Sequence, residues 1–309
     1  MTTVIDLFAG LGGFSEGAKL AGMKPVWAGN HWKLACYYHG VNQGLTPVCQ
    51  DLQQADWREV PAHDGVLASP ACQGHSPARG KEKPHHDALR STAWAVVACA
   101  EYHRPAFIVV ENVPEYLEWA LYPSWCDALQ RLGYSISPHI IDAADHGVPQ
   151  NRERVFIVIT RSKAPLVLTL PKVSHVAVAS FIEWDKYTWS PVQTKRDGRP
   201  RAAATIARIK AGRAAGLGRR FVAPFYGEGS GETGRSIHRP IGALTTIDRW
   251  AVIDGDRMRM LQPLENLAIM SFKPETILPP VKRDAMKLIG NAVAPFVARD
   301  LLLALASRL

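Results

Sequence analysis

The run Asp6-Leu7-Phe8-Ala9-Gly10-Leu11-Gly12-Gly13-Phe14 constrains this chain more than any other feature. It follows the apolar pair Val4-Ile5 and precedes a helix-like stretch at 15–20. A strand that breaks into glycines and re-enters as a helix forms the mouth of a nucleotide-type pocket. The glycines admit close backbone approach, and the first helical turn points free N–H groups at the ligand. A doubly wound sheet therefore starts near residue 3 and leaves no room for an earlier domain. The run departs from the dinucleotide pattern: Ser15 stands at the third glycine position, and the second strand ends in Ala28-Gly29-Asn30 rather than in an acid. A nucleoside cofactor without a pyrophosphate fits better than a nicotinamide dinucleotide.

Strand signals at 4–8, 24–28, 47–50, 65–68 and 106–110 alternate with helical stretches at 14–21, 33–41 and 86–103. That alternation predicts an α/β fold with a sheet covered on both faces. Stretches 134–141 and 154–160 read as two closing, antiparallel strands, which makes the sheet mixed. From 162 the pattern gives way to prolines, glycines, tryptophans and one helix at 202–215, as expected of a smaller second domain. The end of the chain, 283–309, reads as helical and is expected to return to the first domain.

With 309 residues and 47% hydrophobic composition, the chain can build one large domain and one small one. No stretch reads as a membrane span, and no signal peptide is evident. The five cysteines, Cys36, Cys49, Cys72, Cys99 and Cys126, form no CxxC pair. Neither zinc nor a disulfide framework is expected, and a reducing cytoplasm is the default. Nine basic residues between 193 and 220, against Asp197 alone, carry the whole net charge of +8. Such a block implies a polyanionic partner, most simply nucleic acid, although a solvated basic face reads the same way.

Four segments fall at the ligand edge of the expected sheet: 69–76, 111–114, 149–154 and 290–293. They bring a thiol, Cys72, a carboxylate, Glu111, and two arginines, Arg152 and Arg154, to one cleft. Cysteine is the strongest side-chain nucleophile near neutral pH once its thiolate is stabilised. A glutamate partly removed from water can hold or share a proton with a ring nitrogen.

The same strings, in the same order, resemble the DNA (cytosine-5)-methyltransferases along nearly the full chain. Residues 6–13 are similar to the family's first motif and Cys72-Gln73 to its nucleophile loop. Glu111-Asn112-Val113 is similar to its ENV motif, 150–154 to QxRxR, and Gly290-Asn291-Ala292-Val293 to its final GNxV. Residues 239–246 resemble the motif that organises a target recognition domain.

The resemblance implies an S-adenosylmethionine-dependent methyltransferase fold, with a catalytic domain at 1–161, a target recognition domain at 162–250 and a returning segment at 251–309. It implies that Cys72, Glu111, Arg152 and Arg154 are catalytic. It also implies that Phe8, Ala9, Gly10, Gly12, Gly13, Asn30, His31, Asp51, Leu52, Asn291 and Ala292 hold S-adenosylmethionine. Contacts to double-stranded DNA are expected from Gln73, Ser76, Arg79, Lys195, Arg196 and Arg199, with a flipped cytosine and a lid over 73–86. A monomer is expected, with a restriction endonuclease acting separately in a prokaryotic or phage setting. RNA methylation by the same chemistry, and DNA binding without turnover, are the competing readings. Two residues depart from the family pattern: Ala71 replaces a proline before the cysteine, and Asn30 stands where an acid usually grips the cofactor ribose.

Overall fold

The computed structural model describes residues 1–71, 90–225 and 234–309. Its main sheet has seven strands: β1 (Thr3–Leu7), β2 (Lys24–Asn30), β3 (Val48–Cys49), β4 (Gly65–Ala68), β5 (Phe107–Asn112), β6 (Ser135–Asp142) and β8 (Glu153–Thr160). They lie in the order β3-β2-β1-β4-β5-β8-β6. Every pairing from β3 to β5 is parallel. Only β8 is reversed, antiparallel to both β5 and β6. The two closing strands are therefore antiparallel as expected, and β8 is slotted between β5 and β6. Pro138 is accommodated because β6 is the edge strand.

Side chains alternate across this sheet with the period of a strand. Val4, Leu67, Val109, Phe156 and Val158 point into one core. Ile5, Val66, Ala68, Ile108, Val110, Val155 and Ile157 point into the other. Helices α1 (Gly13–Leu20) and α2 (Lys33–Gln43) cover the first face. Helices α3 (Trp94–His103) and α4 (Tyr122–Arg131) cover the second, where Trp125 is fully buried. Of the helix expected over 86–103, the described residues show α3 from Trp94, after a turn at 92–93.

A second sheet, in the order β11-β10-β13-β14-β9, spans Ser190 to Met260, ten residues past the boundary expected at 250. Its strands are β9 (Ser190–Pro191), β10 (Arg220–Pro224), β11 (Arg235–Ser236), β13 (Trp250–Asp254) and β14 (Arg257–Met260). One face, with Phe221, Ala223, Ala251 and Ile253, closes on Ile209 of α5 (Ala203–Ala214). The other, with Val222, Trp250 and Val252, joins the first core. The small unit is thus fused to the large one through continuous apolar packing. A short parallel ladder between β7 (Gln150–Asn151) and β12 (Ile241–Gly242) stitches the same seam.

After α6 (Pro263–Ile269), the chain ends in α7 (Lys282–Asn291) and α8 (Pro295–Ala306). Residues 282–306 are long and apolar enough to cross a membrane by length and composition, with a mean hydropathy of 1.6 in the strongest window. That corrects the expectation that no such stretch exists. The structure breaks the stretch at 292–294 and buries 67% of the window, so these are core helices. α8 packs along α1, where Gly17 lies against Ala298, and a Cβ on Gly13 would collide with the Val293 carbonyl. Buried Glu16 of α1 accepts from the Lys273 and Gln43 side of this junction. The end of the chain therefore completes the face that carries the glycine turn.

Candidate active site

The carboxyl ends of β1, β2, β4 and β5 and the start of reversed β8 share one edge, next to the point where strand order reverses at β1. Open α/β sheets bind ligands at such switch points. A cavity opens there, lined from β1 by Phe8 and Gly10, from β2 by Asn30, His31 and Trp32, and from β4 by Ser69, Pro70 and Ala71. Glu111, Arg152 and Arg154 close it from β5 and β8, and Lys287, Gly290 and Asn291 from α7.

Phe8 adopts φ 63°, a conformation costly for a bulky residue. It turns β1 sharply into the glycine run and leaves its side chain on the cavity wall. Ala9 is buried, its N–H donating to Gly29 O at 3.1 Å. Asp6 lies fully buried behind the turn and accepts from both the Ser15 amide (3.1 Å) and the Ser15 hydroxyl (2.7 Å). Burial outweighs these bonds and raises its pKa from 3.8 to about 7. Between those values the folded protein keeps a proton that the unfolded chain has released. The contribution of Asp6 to stability is therefore fully present below pH 3.8 and is lost as pH rises toward 7. Asp6→Asn is expected to flatten that slope in urea midpoints measured across the interval, and an unaltered slope would count against the assignment.

Asn30 lies on the cavity wall, but its Oδ1 is already taken by the Trp32 amide at 2.9 Å. His31, one residue on, is exposed on the same wall. Lys287 was not foreseen. It stands one helical turn before Gly290, with its ammonium 4.4 Å above the Trp32 ring. Thr92 and Leu288 also line the cavity without having been singled out. Gly12, Gly13, Asp51, Leu52 and Ala292 do not line it. Gly12 and Gly13 face Gln43 and Val293, while Asp51 caps the next turn by accepting from Gln53 N at 3.0 Å. Leu52 and Ala292 are core residues.

Glu111, the last residue but one of β5, has only 7% of its surface exposed. Its Oε1 lies 3.3 Å from Arg154 Nε. Burial pushes the carboxyl up, and the Arg154 and Arg152 charges pull it part of the way back. Such an acid can hold a proton or a hydrogen bond at that atom. Arg152 does something different. It is 4% exposed, and its guanidinium donates to Leu244 O (3.0 Å), Gly290 O (3.0 Å) and Ala292 O (3.1 Å). Gln150, wholly buried, accepts from Leu244 N at 2.9 Å. The QxRxR string therefore ties three segments together, while Arg154 forms the ion pair with the acid. Gly290 is packed so closely on Thr245 and Thr246 that a Cβ would collide with their backbone.

The departure at Ala71 acquires a use. Its amide donates to the Thr92 hydroxyl at 3.2 Å, which proline could not do. Asn112 Nδ2 holds Pro70 O at 3.2 Å. The loop is thus anchored up to residue 71. Cys72, Gln73, Ser76, Arg79 and the expected lid at 73–86 lie outside the described residues.

Outside this cavity, Lys195, Arg196 and Arg199 occupy an exposed hairpin closed by Lys195 N→Arg199 O at 2.8 Å. Arg199 is held by Asp197 through two bonds of 2.8 and 2.6 Å. Among the described residues no cluster of His, Cys, Asp or Glu could hold a metal ion.

An S-adenosylmethionine-type sheet with a buried glutamate–arginine pair at its switch point is the frame of a methyltransferase. The chain belongs to the family of C-5 cytosine-specific DNA methylases, whose pattern matches residues 2–307. It is 31% identical to the Type II methyltransferase M.DdeI of Desulfomicrobium norvegicum over 54% of this chain and 43% of that one. With M.SsoII of Shigella sonnei it shares 26% identity over 94% of this chain and 76% of that protein. The chain spans about half the length of the curated relatives it matches with the strongest scores. Among solved structures, the methyltransferase EhMeth of Entamoeba histolytica superposes with a TM-score of 0.70 at 15% identity, covering 100% of this chain and 98% of that one.

Proposed function

We propose that this protein transfers a methyl group from S-adenosylmethionine to carbon 5 of a cytosine flipped out of duplex DNA. The observation that carries the proposal is the placement of Glu111 and Arg154 in one cavity with the Phe8–Gly10 turn. Phe8, Gly10, Asn30, His31, Trp32 and Asn291 would hold the cofactor, because the turn leaves an apolar ring and polar groups facing the same space. When bound, the cofactor supplies an electrophilic methyl group.

The chain's own residues do the rest. The Cys72 thiolate adds to carbon 6, and the ring's electron pair shifts to carbon 5, which becomes nucleophilic. Glu111 hydrogen-bonds the N3 and exocyclic amino edge, holding a proton where negative charge develops. Arg154 keeps that carboxyl oriented. Once carbon 5 carries the methyl group, loss of its proton and departure of the Cys72 sulfur restore the ring.

On this reading 1–161 is catalytic and 162–250 recognises the target, its sheet reaching on to Met260. The residues from 261 onward brace the glycine turn. The enzyme works as a monomer in the cytoplasm, and a cognate endonuclease acts separately. The test is label transfer from the methyl-labelled cofactor to duplex DNA or to tRNA, beside Cys72→Ala. Label in DNA that the substitution abolishes supports the proposal. Label in tRNA alone, or label that survives the substitution, overturns it.

A further inference from the structure

We propose that a second, basic cavity, between the 194–200 hairpin and the start of α7, grips a backbone phosphate of the substrate duplex. The proposal rests on the reading of DNA as substrate. Lys195, Arg196, Arg201, Arg259 and Lys282 line this cavity together with Ser190, and no acid lines it.

Two of the five charges are answered from outside it. Arg259 is clasped by buried Glu265 through two bonds of 2.7 Å, and Lys282 pairs with Asp248 at 2.5 Å. Arg196 and Arg201 form no ion pair with an acid among the described residues, and Lys195 acts only on the exposed Asp197 two residues on. Arg201 is nonetheless fixed in place. One of its terminal nitrogens donates to Ser190 Oγ (2.8 Å), Pro191 O (3.2 Å) and Thr194 O (2.9 Å). Its Nε is buried without a partner. Burial lowers the guanidinium pKa with no acid to offset it. A planar donor fork, held still and short of an anion, matches a phosphate better than any neutral group.

The rest of the basic block is differently engaged. Asp197 holds Arg199, Asp256 holds Arg213, and the buried carboxylate of Asp254 holds Arg219 and Arg220. Asp254 is shared with Arg257 as well, so one carboxylate answers three arginines, and the cavity is one of the places where positive charge is left over.

Position favours DNA over a free anion. Lys282 opens α7, and Lys287, Leu288, Gly290 and Asn291 of the same helix line the catalytic cavity. Five to nine residues at about 1.5 Å each separate the two by roughly 8–14 Å. That is about two to four steps along a DNA strand, so one duplex can reach both cavities.

The test is the affinity of the full chain for a fluorescent duplex, measured across a series of salt concentrations. Arg201→Gln, Arg196→Gln and Lys195→Gln are each expected to reduce the slope of log K against log salt by about 0.9. Arg199→Gln, its charge already paired, is expected to leave the slope alone. Lys195 and Arg196 are exposed, so their substitutions keep the test independent of any folding defect in Arg201→Gln. Unchanged slopes in the Lys195 and Arg196 variants, with normal wild-type binding, overturn this inference alone. A wild-type protein that ignores duplex DNA overturns the reading beneath it as well.

Discussion

Glu111→Gln is expected to slow single-turnover methyl transfer by roughly 10²–10⁴-fold, with the fold and cofactor affinity retained. Glutamine fills the same volume and can still accept from Arg154, so little packing is lost. What disappears is an ionisable group whose pKa is lifted by burial and tempered by two arginines. Without it, charge developing on the ring as Cys72 adds has no proton held against it. The rate should fall while the denaturation midpoint holds. A variant that turns over within about threefold of the wild type would remove Glu111 from the mechanism.

Arg152→Met produces the opposite pattern. Three buried carbonyls, on Leu244, Gly290 and Ala292, lose their donor at once. The expected destabilisation is about 3–5 kcal/mol, read as a lower urea midpoint. Because one guanidinium joins segments from the small unit and from the end of the chain, both should loosen together. Arg154→Met, which loses the contact to Glu111, is expected to show a smaller stability loss and a larger rate loss. Equal stability of Arg152→Met and the wild type would show that the clamp does not matter.

The first half of the fold was legible because its signals are local. Apolar runs of four to seven residues, each closed by glycine or a polar turn, place β1, β2, β4 and β5 to within two residues at either end. The insertion of β8 between β5 and β6 was not legible, since it depends on which edge a hairpin chooses. The strand pair that continues the small sheet beyond 250 was missed for a related reason: β13 and β14 are short and look like any apolar stretch. The helices at 122–131 and 263–269 went unremarked as well.

The site was legible as a set of strings and less so as a set of roles. Arg152 and Arg154 are equivalent in the motif. Two residues apart, they would share a face of a regular strand. Arg152 instead sits in the break between β7 and β8 and turns to the seam, while Arg154, inside β8, meets the acid. The basic block shows a similar limit. Counting charges found it, but the acids that answer it, Asp254 and Asp256, arrive from a turn thirty-four or more residues away. Lys287 carried one available signal, its place a helical turn before Gly290 on a face that reaches the cavity.

The most direct measurement uses a duplex with 5-fluorocytosine at the target base, incubated with the protein and its cofactor and resolved by denaturing mass spectrometry. Fluorine cannot leave carbon 5 as a proton does, so the sulfur of Cys72 should stay bonded to the methylated ring. The account predicts a species with the combined mass of protein, DNA strand and one methyl group, absent from Cys72→Ala. Methylation of ordinary cytosine without any such species, or the same species with Cys72→Ala, would contradict it.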